Sequence, residues 1–572
     1  MNLLPRPRAV RLDDATVGAR PPAVRIDPTL PPEAYRLAIS ESSVDLVAGD
    51  ESGAFYGAAT LDQLARLHDG RLPCGEVEDA PAFPVRGVML DVSRDRVPSI
   101  ETLEALIERF AAWKLNHLEL YVEHTFAYAD HGEVHAEASP FTPEEIRHLD
   151  AFCRARHVEL APNQNCLGHM NRWLAHDRYR RLALEPDGFV DPYGIRRSPM
   201  TLDPAAPGAF DLVRSLLTEL LPVFTSRRVH VGLDEPWELP AERLEEYVAW
   251  IQRLRALPEL ADREMLVWGD VVAGHPDLLP DVPAGVTVVE WGYEDWWPFR
   301  EHAAALAGAG VPFWVAPGTS SWLTVLGRVT NMRGSCLRAA EAGVQHGAAG
   351  FLVTDWGDQG HLQQWPVSEP GFAYASAVAW DPEVNGDLDL AAALDAHAFD
   401  DPAGRLGRVL TALGDVHRLV TPQFPNLSTL VFHLYFPQSV VGRGLTKGLR
   451  AEELGAVEAA LAAARDDLDA ARPRRADGAT VIEEVRWSVD LVDLLCRDAR
   501  ARLGGDGTLA SVPRGEREEM AGVLAGLVER YRERWSVRNR PGGLADSVAW
   551  LENLRAAYLT GSPDPTWGGW PA

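Results

Sequence analysis

The sequence is poor in cysteine and in positive charge. It has only five cysteines, and none of them form a CxxC pair: Cys74, Cys153, Cys166, Cys336 and Cys496. An odd number of scattered thiols fits reduced side chains better than a disulfide framework. The 83 acidic residues outnumber the 55 basic ones and leave a net charge of −28. Nucleic acids and anionic membranes attract basic surfaces, so we expect neither as a partner.

Long apolar stretches are also missing. No run approaches the roughly 20 apolar residues that a membrane-spanning helix needs. The first residues, MNLLPRPRAVRLDD, carry charges and prolines where a secretory signal has an apolar segment. We therefore expect a soluble, cytoplasmic protein.

The middle of the chain, residues 81–380, has the alternation typical of an α/β protein. Eight strand-like runs are separated by helical stretches: VRGVMLDV, HLELYV, VELAPN, RVHVGLDE, MLVWGDV, VTVVEWG, VPFWVAP and GFLVTDWG. Eight such units predict a closed (β/α)8 TIM barrel. An open doubly wound sheet is the alternative, but it would carry a Gly-rich turn where LDVSRDRVPS stands.

Two further domains are expected to flank the barrel, because 572 residues exceed one ordinary domain. Residues 1–80 predict a small α/β domain, since residues 35–49 alternate like two short strands and residues 53–67 have helical spacing. Residues 381–572 predict a helical domain rich in strong helix formers. These helices either form a homodimer interface or pack beside the barrel mouth.

Carboxylates and tryptophans are concentrated at the carboxyl ends of the predicted strands, where barrel enzymes hold their catalytic groups. This profile is expected of an enzyme that cleaves carbohydrate. Asp234 and Glu235 are the sharpest feature, because adjacent like charges disfavour double ionisation and one acid can serve as a proton donor. The structural alternative is an exposed acidic turn that starts a helix.

Several of these segments resemble glycoside hydrolase family 20, the β-N-acetylhexosaminidases. VHVGLDE is similar to the family's His-x-Gly-Gly-Asp-Glu signature, with Leu233 in place of the second glycine. APNQNCLGHM is similar to its third-strand motif, with His169 kept and two acids replaced by Asn163 and Asn165. RGVMLDVSR, the ends of strands five, six and eight, and the N-terminal segment are also similar. The resemblance covers about residues 33–365.

The resemblance implies a retaining exo-β-N-acetylhexosaminidase that acts on an oligosaccharide or glycoconjugate with a terminal GlcNAc or GalNAc. Catalysis in this family is substrate-assisted: the sugar's acetamido oxygen attacks C1 to give an oxazolinium ion, without a protein nucleophile, cofactor or metal. Glu235 would act as acid and base, Asp234 would hold the acetamido group, and His169 would orient Glu235. The implied substrate-binding residues are Arg86, Trp268, Trp291, Trp356 and Asp358. For each tryptophan, packing at the barrel mouth is the alternative, as a structural role is for His169.

Two strands depart from the family pattern. The second strand reads NHLELYVEHTF, where the family has His-x-His-x-x-Asp-Asp, so Glu123 is our candidate partner for His169 and His124 is the other choice. The seventh strand region, VAPGTSSWLT, lacks the family's Tyr and Asp. Trp322, a serine or Tyr293 is expected to substitute there.

Three rival functions remain. A metal-dependent barrel hydrolase would need His-x-His after the first strand, where the chain offers Asp91 and no histidine. A carbohydrate-binding homologue without catalysis conflicts with the intact Asp234–Glu235 pair. An acetamido-assisted glycosidase for a modified amino sugar is supported by the two divergent strands.

Overall fold

The computed structural model describes residues 2–192, 194–437 and 446–562. The N-terminal domain is a five-stranded sheet in the order β1-β5-β3-β4-β2, with one helix packed on it. Its elements are β1 (Ala9–Gly18), β2 (Ala23–Ile26), β3 (Tyr35–Ile39), β4 (Val44–Ala48), α1 (Glu51–Leu67) and β5 (Arg71–Asp79). The predicted strand pair and helix are confirmed as β3, β4 and α1, whereas β1, β2 and β5 were not predicted.

The barrel is closed by eight parallel strands in the order β6-β7-β8-β11-β12-β13-β14-β15. They are β6 (Val85–Asp91), β7 (His117–Val122), β8 (Glu159–Gln164), β11 (Arg228–His230), β12 (Glu264–Trp268), β13 (Val286–Trp291), β14 (Phe313–Ala316) and β15 (Gly350–Asp355). A small hairpin of β9 (Phe189–Val190) and β10 (Arg196–Arg197) lies in the loop between β8 and β11. The predicted TIM barrel, with all eight of its strands, is confirmed.

Helices connect successive barrel strands. They are α2 (Ile100–Ala112), α3 (Gly132–His135), α4 (Pro143–Arg154), α5 (Asn171–Leu174), α6 (Asp177–Arg180), α7 (Ala209–Leu220), α8 (Leu244–Arg255), α9 (Asp270–Gly274), α10 (Phe299–Gly308), α11 (Val329–His346) and α12 (Trp365–Trp380). Every residue of α12 is buried. A helix that is apolar all round is covered on all sides, and the C-terminal helices supply the outer cover: α12 contacts both the first barrel strand and the later helices.

The C-terminal region is helical, as predicted. It contains α13 (Pro382–Asn385), α14 (Leu390–Ala393), α15 (Leu406–Leu413), α16 (Phe432–Tyr435), α17 (Ala451–Ala470), α18 (Gly478–Leu503), α19 (Arg514–Arg538) and α20 (Leu544–Thr560), with a π-helical turn at Leu394–Phe399. Within the described ranges, no helix combines the length and apolarity needed to cross a membrane.

The end of α19 packs on the loop that follows the first barrel strand. The backbones of Pro98 and Asn539 pair, and the N–H of Arg540 donates to the carbonyl of Val97 at 2.8 Å. Arg540 also forms an ion pair with Glu145 at the start of α4. These helices therefore pack beside the barrel mouth, one of the two placements left open from the sequence, and the homodimer stays a prediction.

Candidate active site

Asp234 and Glu235 follow β11 in a tight turn at the barrel mouth. Gly232 and Leu233 both have left-handed backbone conformations, with φ of 69° and 78°, and Glu235 has φ of 47°. A Cβ at Gly232 would lie 2.5 Å from Asn165 Oδ1, so only glycine fits there. The turn aims both acidic side chains inward, and the alternative of an exposed acidic helix start does not apply: Asp234 is buried, and Glu235 is about a quarter exposed.

His169 lies between the two acids. Its Nε2 is 3.2 Å from Asp234 Oδ2 and 3.4 Å from Glu235 Oε2. Arg94 Nη2 lies 3.1 Å from the other ring nitrogen, Nδ1, which accepts that hydrogen bond when the ring proton is on Nε2. Burial and the charge of Arg94 lower the pKa of His169, but the charge of Asp234 and the hydrogen bonds to Asp234 and Glu235 outweigh them and raise it. The ring therefore presents a proton to both carboxylates.

Asn165 holds the carboxylate of Asp234 in place. Its Nδ2 donates to Asp234 Oδ1 at 2.9 Å, and its Oδ1 accepts from the N–H of Leu233 at 3.2 Å. Burial raises the pKa of Asp234, but His169 and Asn165 hold it below its ordinary value of 3.8. Asp234 is therefore ionised at neutral pH. Asn165, which stood out in the sequence only as a departure, is a contact residue of the catalytic pair.

Arg94 supplies the fixed positive charge of the site, and the sequence analysis missed it. Its Nη1 lies 3.2 Å from Asp91 Oδ2 and its Nε 3.2 Å from Glu123 Oε1. Its guanidinium carbon lies 4.8 Å from the ring centre of Tyr121 and 5.1 Å from that of Trp356. The sequence could have indicated Arg94, because it comes just after the carboxyl end of β6, where barrel enzymes hold their active-site residues.

Arg86 does not belong to the site, and the prediction that it binds sugar is wrong. It lies near the amino end of β6 and is fully buried. Its Nη1 donates to Glu33 Oε2 and to the carbonyl of Phe83, both at 2.7 Å, and its Nε donates to the carbonyl of Lys114 at 2.9 Å. Its guanidinium also lies over the ring of Trp380. Arg86 therefore joins the N-terminal domain to the closed end of the barrel.

Glu123 and His124, the two candidates on the second strand, are placed differently. Glu123 is buried, with Oε1 3.8 Å from His169 Nδ1, and it accepts a hydrogen bond from the Tyr121 hydroxyl at 3.0 Å. Within the described residues no hydrogen bond or ion pair joins His124 to His169, and burial lowers the pKa of His124 to about 3. The structure thus brings Glu123, and not His124, to His169, with Arg94 between them.

Aromatic side chains from several strand ends form a cluster beside the acids, which we call the aromatic pocket. Trp356 Nε1 donates to the Tyr293 hydroxyl at 2.8 Å, and Tyr293 stacks on Trp291 with ring centres 5.1 Å apart. Trp268 lies 5.9 Å from Trp356. Trp322 meets Tyr293 edge-to-face at 5.0 Å. All four predicted tryptophans therefore converge, and Tyr293 joins them.

The five rings differ in accessibility. Trp268 and Trp322 are each 1% exposed and belong to the buried part of the cluster, where Trp322 packs against Tyr293. Trp291 and Tyr293 are partly exposed. Among the candidates to replace the missing strand-seven tyrosine, Tyr293 is the one whose hydroxyl contacts another ring of the cluster, Trp356. Ser321 donates a hydrogen bond to Asp355, and Ser320 accepts one from Asn331.

Two further acids complete the site. Asp270, which the sequence analysis did not select, accepts the N–H of Glu235 at 3.0 Å, and its Oδ1 lies 3.4 Å from Trp291 Nε1. Burial, reinforced by the charge of Asp234, raises the pKa of Asp270 to about 7. Burial also raises the pKa of Asp358 to about 6, although Arg94 opposes this rise. Asp358 lies within electrostatic reach of Glu235 and His169, at the position predicted for a sugar-binding acid.

No group of three or more His, Cys, Asp or Glu side chains in the described part of the chain is arranged to hold a metal ion. The acids of the site contact histidine, arginine and amide groups instead. The arrangement provides one ionised acid, one partly accessible acid, a shared imidazole and an aromatic wall.

The chain matches two models of one family. "Glycosyl hydrolase family 20, catalytic domain" matches residues 83–333, and "Glycosyl hydrolase family 20, domain 2" matches residues 2–80. Together these ranges take in more than half of the chain and contain the whole acidic and aromatic site up to Trp322. The chain belongs to glycoside hydrolase family 20. Trp356 and Asp358 lie beyond the matched range but on the same barrel.

Curated relatives of this family-20 chain are similar over parts of their length. A beta-hexosaminidase from Akkermansia muciniphila is 30% identical over 236 residues, which are 37% of this chain and 47% of that protein. A beta-N-acetylhexosaminidase from Cellulomonas fimi is 28% identical over 346 residues, 56% of this chain and 65% of the relative. The chain thus spans about half to two thirds of the length of these two relatives.

A solved structure shows the same fold. The exo beta-N-acetylglucosaminidase of Vibrio harveyi in complex with N-acetylglucosamine superposes with a TM-score of 0.54 at 18% identity. The match covers 67% of this chain and 73% of that one. At this identity the similarity speaks for the barrel architecture alone.

Proposed function

We propose that this protein is a retaining exo-β-N-acetylhexosaminidase that releases terminal β-linked GlcNAc or GalNAc by substrate-assisted catalysis. The observation that carries the proposal is the contact of one imidazole, His169, with both Asp234 and Glu235 beside a cluster of aromatic rings. Family membership and the names of the curated relatives support the same substrate class.

The two acids have different roles in this proposal. Glu235 is the more accessible of the pair and protonates the glycosidic oxygen, then accepts a proton from the attacking water. Asp234 is held ionised by His169 and Asn165, so it can accept a hydrogen bond from the acetamido N–H and polarise that group. The acetamido oxygen then attacks C1, and the oxazolinium ion forms as the C1–O bond breaks.

Adjacent acids favour this mechanism over a protein nucleophile. A classical retaining pair flanks the sugar ring from opposite faces, with carboxyl groups about 5–5.5 Å apart. Asp234 and Glu235 are consecutive residues that both approach His169 Nε2. They therefore reach the substrate from one side, where one acid addresses the leaving oxygen and the other the group on C2.

The pocket is suited to a terminal sugar. Trp291, Tyr293 and Trp356 offer apolar faces for the C–H surface of a pyranose and for the acetamido methyl group. Arg94 and Asp358 offer a donor and an acceptor for ring hydroxyls. A pocket closed by Trp268 and Trp322 at its inner wall favours cleavage from the chain end.

The deciding experiment assays the purified protein on aryl β-GlcNAc, aryl β-GalNAc and aryl β-glucoside, with Glu235→Gln alongside. We expect hydrolysis of the two acetamido sugars alone, reduced about 10²–10⁴-fold in the variant because a positioned proton donor is lost. Equal activity on the glucoside would rule out acetamido assistance. Inactivity on all three sugars would favour a modified amino sugar or a non-catalytic binder.

A further inference from the structure

An exposed tryptophan lies just outside the aromatic pocket. Trp296 follows β13 by five residues and is 61% exposed, which is unusual for so large an apolar side chain. It is connected to the pocket by ring contacts. Trp296 lies 6.3 Å from Trp297, and Trp297 lies 6.3 Å from Trp291 with the two ring planes 5° apart. Aromatic rings thus lead from the pocket to the surface.

Trp296 borders a second cavity of about 290 Å³. On one side the cavity is lined by the loop after β13, and on the other by the C-terminal segment that contains His417, Arg418, Gln423 and Phe424. Aromatic faces beside hydrogen-bonding side chains suit a pyranose, whose C–H face is apolar and whose rim carries hydroxyls.

Two polar side chains that line this cavity can form further hydrogen bonds. His417 Nδ1 donates to the carbonyl of Gly414 at 3.0 Å, and its Nε2 has no hydrogen-bond partner among the described residues. Burial lowers the pKa of His417 to about 4, so the ring is neutral and Nε2 is an acceptor. Arg418 is more than half exposed and presents donors at the same rim.

The cavity is preformed, because its two walls are bonded together. Glu294 receives two hydrogen bonds from Arg328, at 2.7 and 2.6 Å, and one from the N–H of Asn426 at 2.6 Å. Thr330 donates to Asp415 in the same region. A site fixed in this way needs little ordering when a ligand binds.

One residue connects the cavity to the pocket. Asn331 lines the cavity, its Oδ1 accepts the N–H of Asp295, and its Nδ2 donates to the carbonyl of Tyr293 at 2.6 Å. The loop that presents Trp296 is therefore held by the same side chain that positions the tyrosine of the pocket.

We propose that this cavity is a second sugar subsite, in which a pyranose unit of the glycan beyond the scissile bond stacks on Trp296. The proposal rests on the proposed function, because it assumes that the aromatic pocket holds the terminal sugar. Such a subsite predicts that this chain prefers oligosaccharide substrates of several units to glycosides with a short aglycone.

The kinetic test compares kcat/KM for β-linked N-acetylhexosamine tetrasaccharide and for an aryl β-N-acetylhexosaminide. We expect Trp296→Ala to lower the ratio of these two values about tenfold, the equivalent of one lost aromatic stacking contact, mostly through KM. Trp296→Phe should restore most of the ratio. Val537→Ala is the matched control, because Val537 is also exposed but lies on α19 away from the cavity. An unchanged ratio in Trp296→Ala, or an equal fall in Val537→Ala, would overturn the proposal.

A binding measurement separates this proposal from the proposed function. Calorimetric titration of the tetrasaccharide into Glu235→Gln and into Glu235→Gln/Trp296→Ala should show about tenfold weaker binding in the double variant. If the native protein hydrolyses no aryl glycoside and this difference persists, the subsite stands and the hydrolase proposal fails. If hydrolysis is present and the difference is absent, the subsite is wrong. A change of oligomeric state in Trp296→Ala, by light scattering, without a change in ratio would identify a subunit contact and also overturn it.

Discussion

At the scale of single residues, Asn165 shows how the site keeps one acid ionised. Asn165 donates to Asp234 where the resembling family has an acid. Changing it to Asp would place a second negative charge against Asp234 and remove a donor, and both effects raise the pKa of Asp234.

We therefore expect Asn165→Asp to move the acidic limb of the kcat/KM profile to higher pH. Asp234 must be ionised to hold the acetamido group, so activity would be lost at a higher pH than in the native protein. Asn165→Ala, which removes the donor without adding charge, is the control and should move the limb less. Superimposable profiles for Asn165→Asp and the native protein would contradict this role.

The raised pKa of Asp270 predicts how the stability of the protein depends on pH. Its pKa is raised from 3.8 to about 7 by burial, so the folded protein binds that proton more tightly than the unfolded chain. The protonated carboxyl therefore stabilises the folded protein at low pH, and this stabilisation is lost as pH rises from about 4 to about 7. Asn at this position has no charge to bury. The stability of Asp270→Asn relative to the native protein should therefore rise by about 2–3 kcal/mol between pH 5 and pH 8.

Urea unfolding of both proteins at the two pH values measures this difference. Asp270→Asn also loses one acceptor, because an amide oxygen cannot serve both Glu235 N–H and Trp291 Nε1. Asn does not titrate, so the change of relative stability with pH follows from the pKa of Asp270 alone. A relative stability that does not change with pH would show that Asp270 is not protonated in the folded state.

Residue roles were only partly predictable from the sequence. Asp234, Glu235, His169 and the tryptophans were found because they lie at the carboxyl ends of strands or a few residues beyond them. The resemblance assigned sugar binding to Arg86, which lies near the amino end of β6. The position of Arg94 beyond the carboxyl end of β6 places Arg94 at the site instead. Asp270 and Asn165 act through contacts between different strands, which no single segment reveals.

At the scale of elements, the turn after β11 explains why the family's second glycine can be replaced here. Leu233 has a left-handed backbone, which costs a non-glycine residue about 1–2 kcal/mol. Its side chain is fully buried in the main core, and this burial offsets the cost.

A pair of variants separates the two effects. Leu233→Ala keeps the strained backbone and loses side-chain packing, so it should destabilise the protein by about 2–5 kcal/mol. Leu233→Gly loses one further carbon, worth about 0.8 kcal/mol, but relieves the strain. We expect Leu233→Gly to be at least as stable as Leu233→Ala in chemical unfolding. A clearly less stable glycine variant would show that the turn carries no strain.

The barrel strands were predictable because strands buried on both faces read as continuous apolar runs. The N-terminal β1 and β2 do not read this way. Their burial patterns are mostly exposed, and β1 contains the charged pair Asp13–Asp14. They are strands because they pair with β5 and β4, a long-range condition that local composition does not contain.

At the scale of the whole molecule, the three parts are joined by buried polar contacts. Arg86 connects the N-terminal domain to the barrel through Glu33 and two backbone carbonyls. Replacing it with Met would remove a donor from both carbonyls and leave Glu33 only its hydrogen bond from Asn116. Breaking a buried ion pair typically costs about 3–5 kcal/mol.

We expect Arg86→Met to lower the free energy of unfolding by that amount while KM for the aryl substrate stays the same. Arg94→Met should do the opposite, with a large loss of kcat/KM and a smaller change in stability, because Arg94 contacts the site itself. Chemical unfolding and steady-state kinetics on both variants provide the comparison. A raised KM in Arg86→Met would indicate that Arg86 binds sugar, contrary to its position at the other end of the strand.

The seam between the loop after β6 and the end of α19 also affects how the protein can be engineered. The carbonyl of Val97 accepts from the N–H of Arg540, and the N–H of Ser99 donates to the carbonyl of Arg538, only a few positions beyond Arg94. A chimaera that exchanges this loop with a homologous barrel would lose those partners and shift Arg94 with it. Transferring the pocket to another scaffold therefore requires that α19 and the start of α20 be transferred with it.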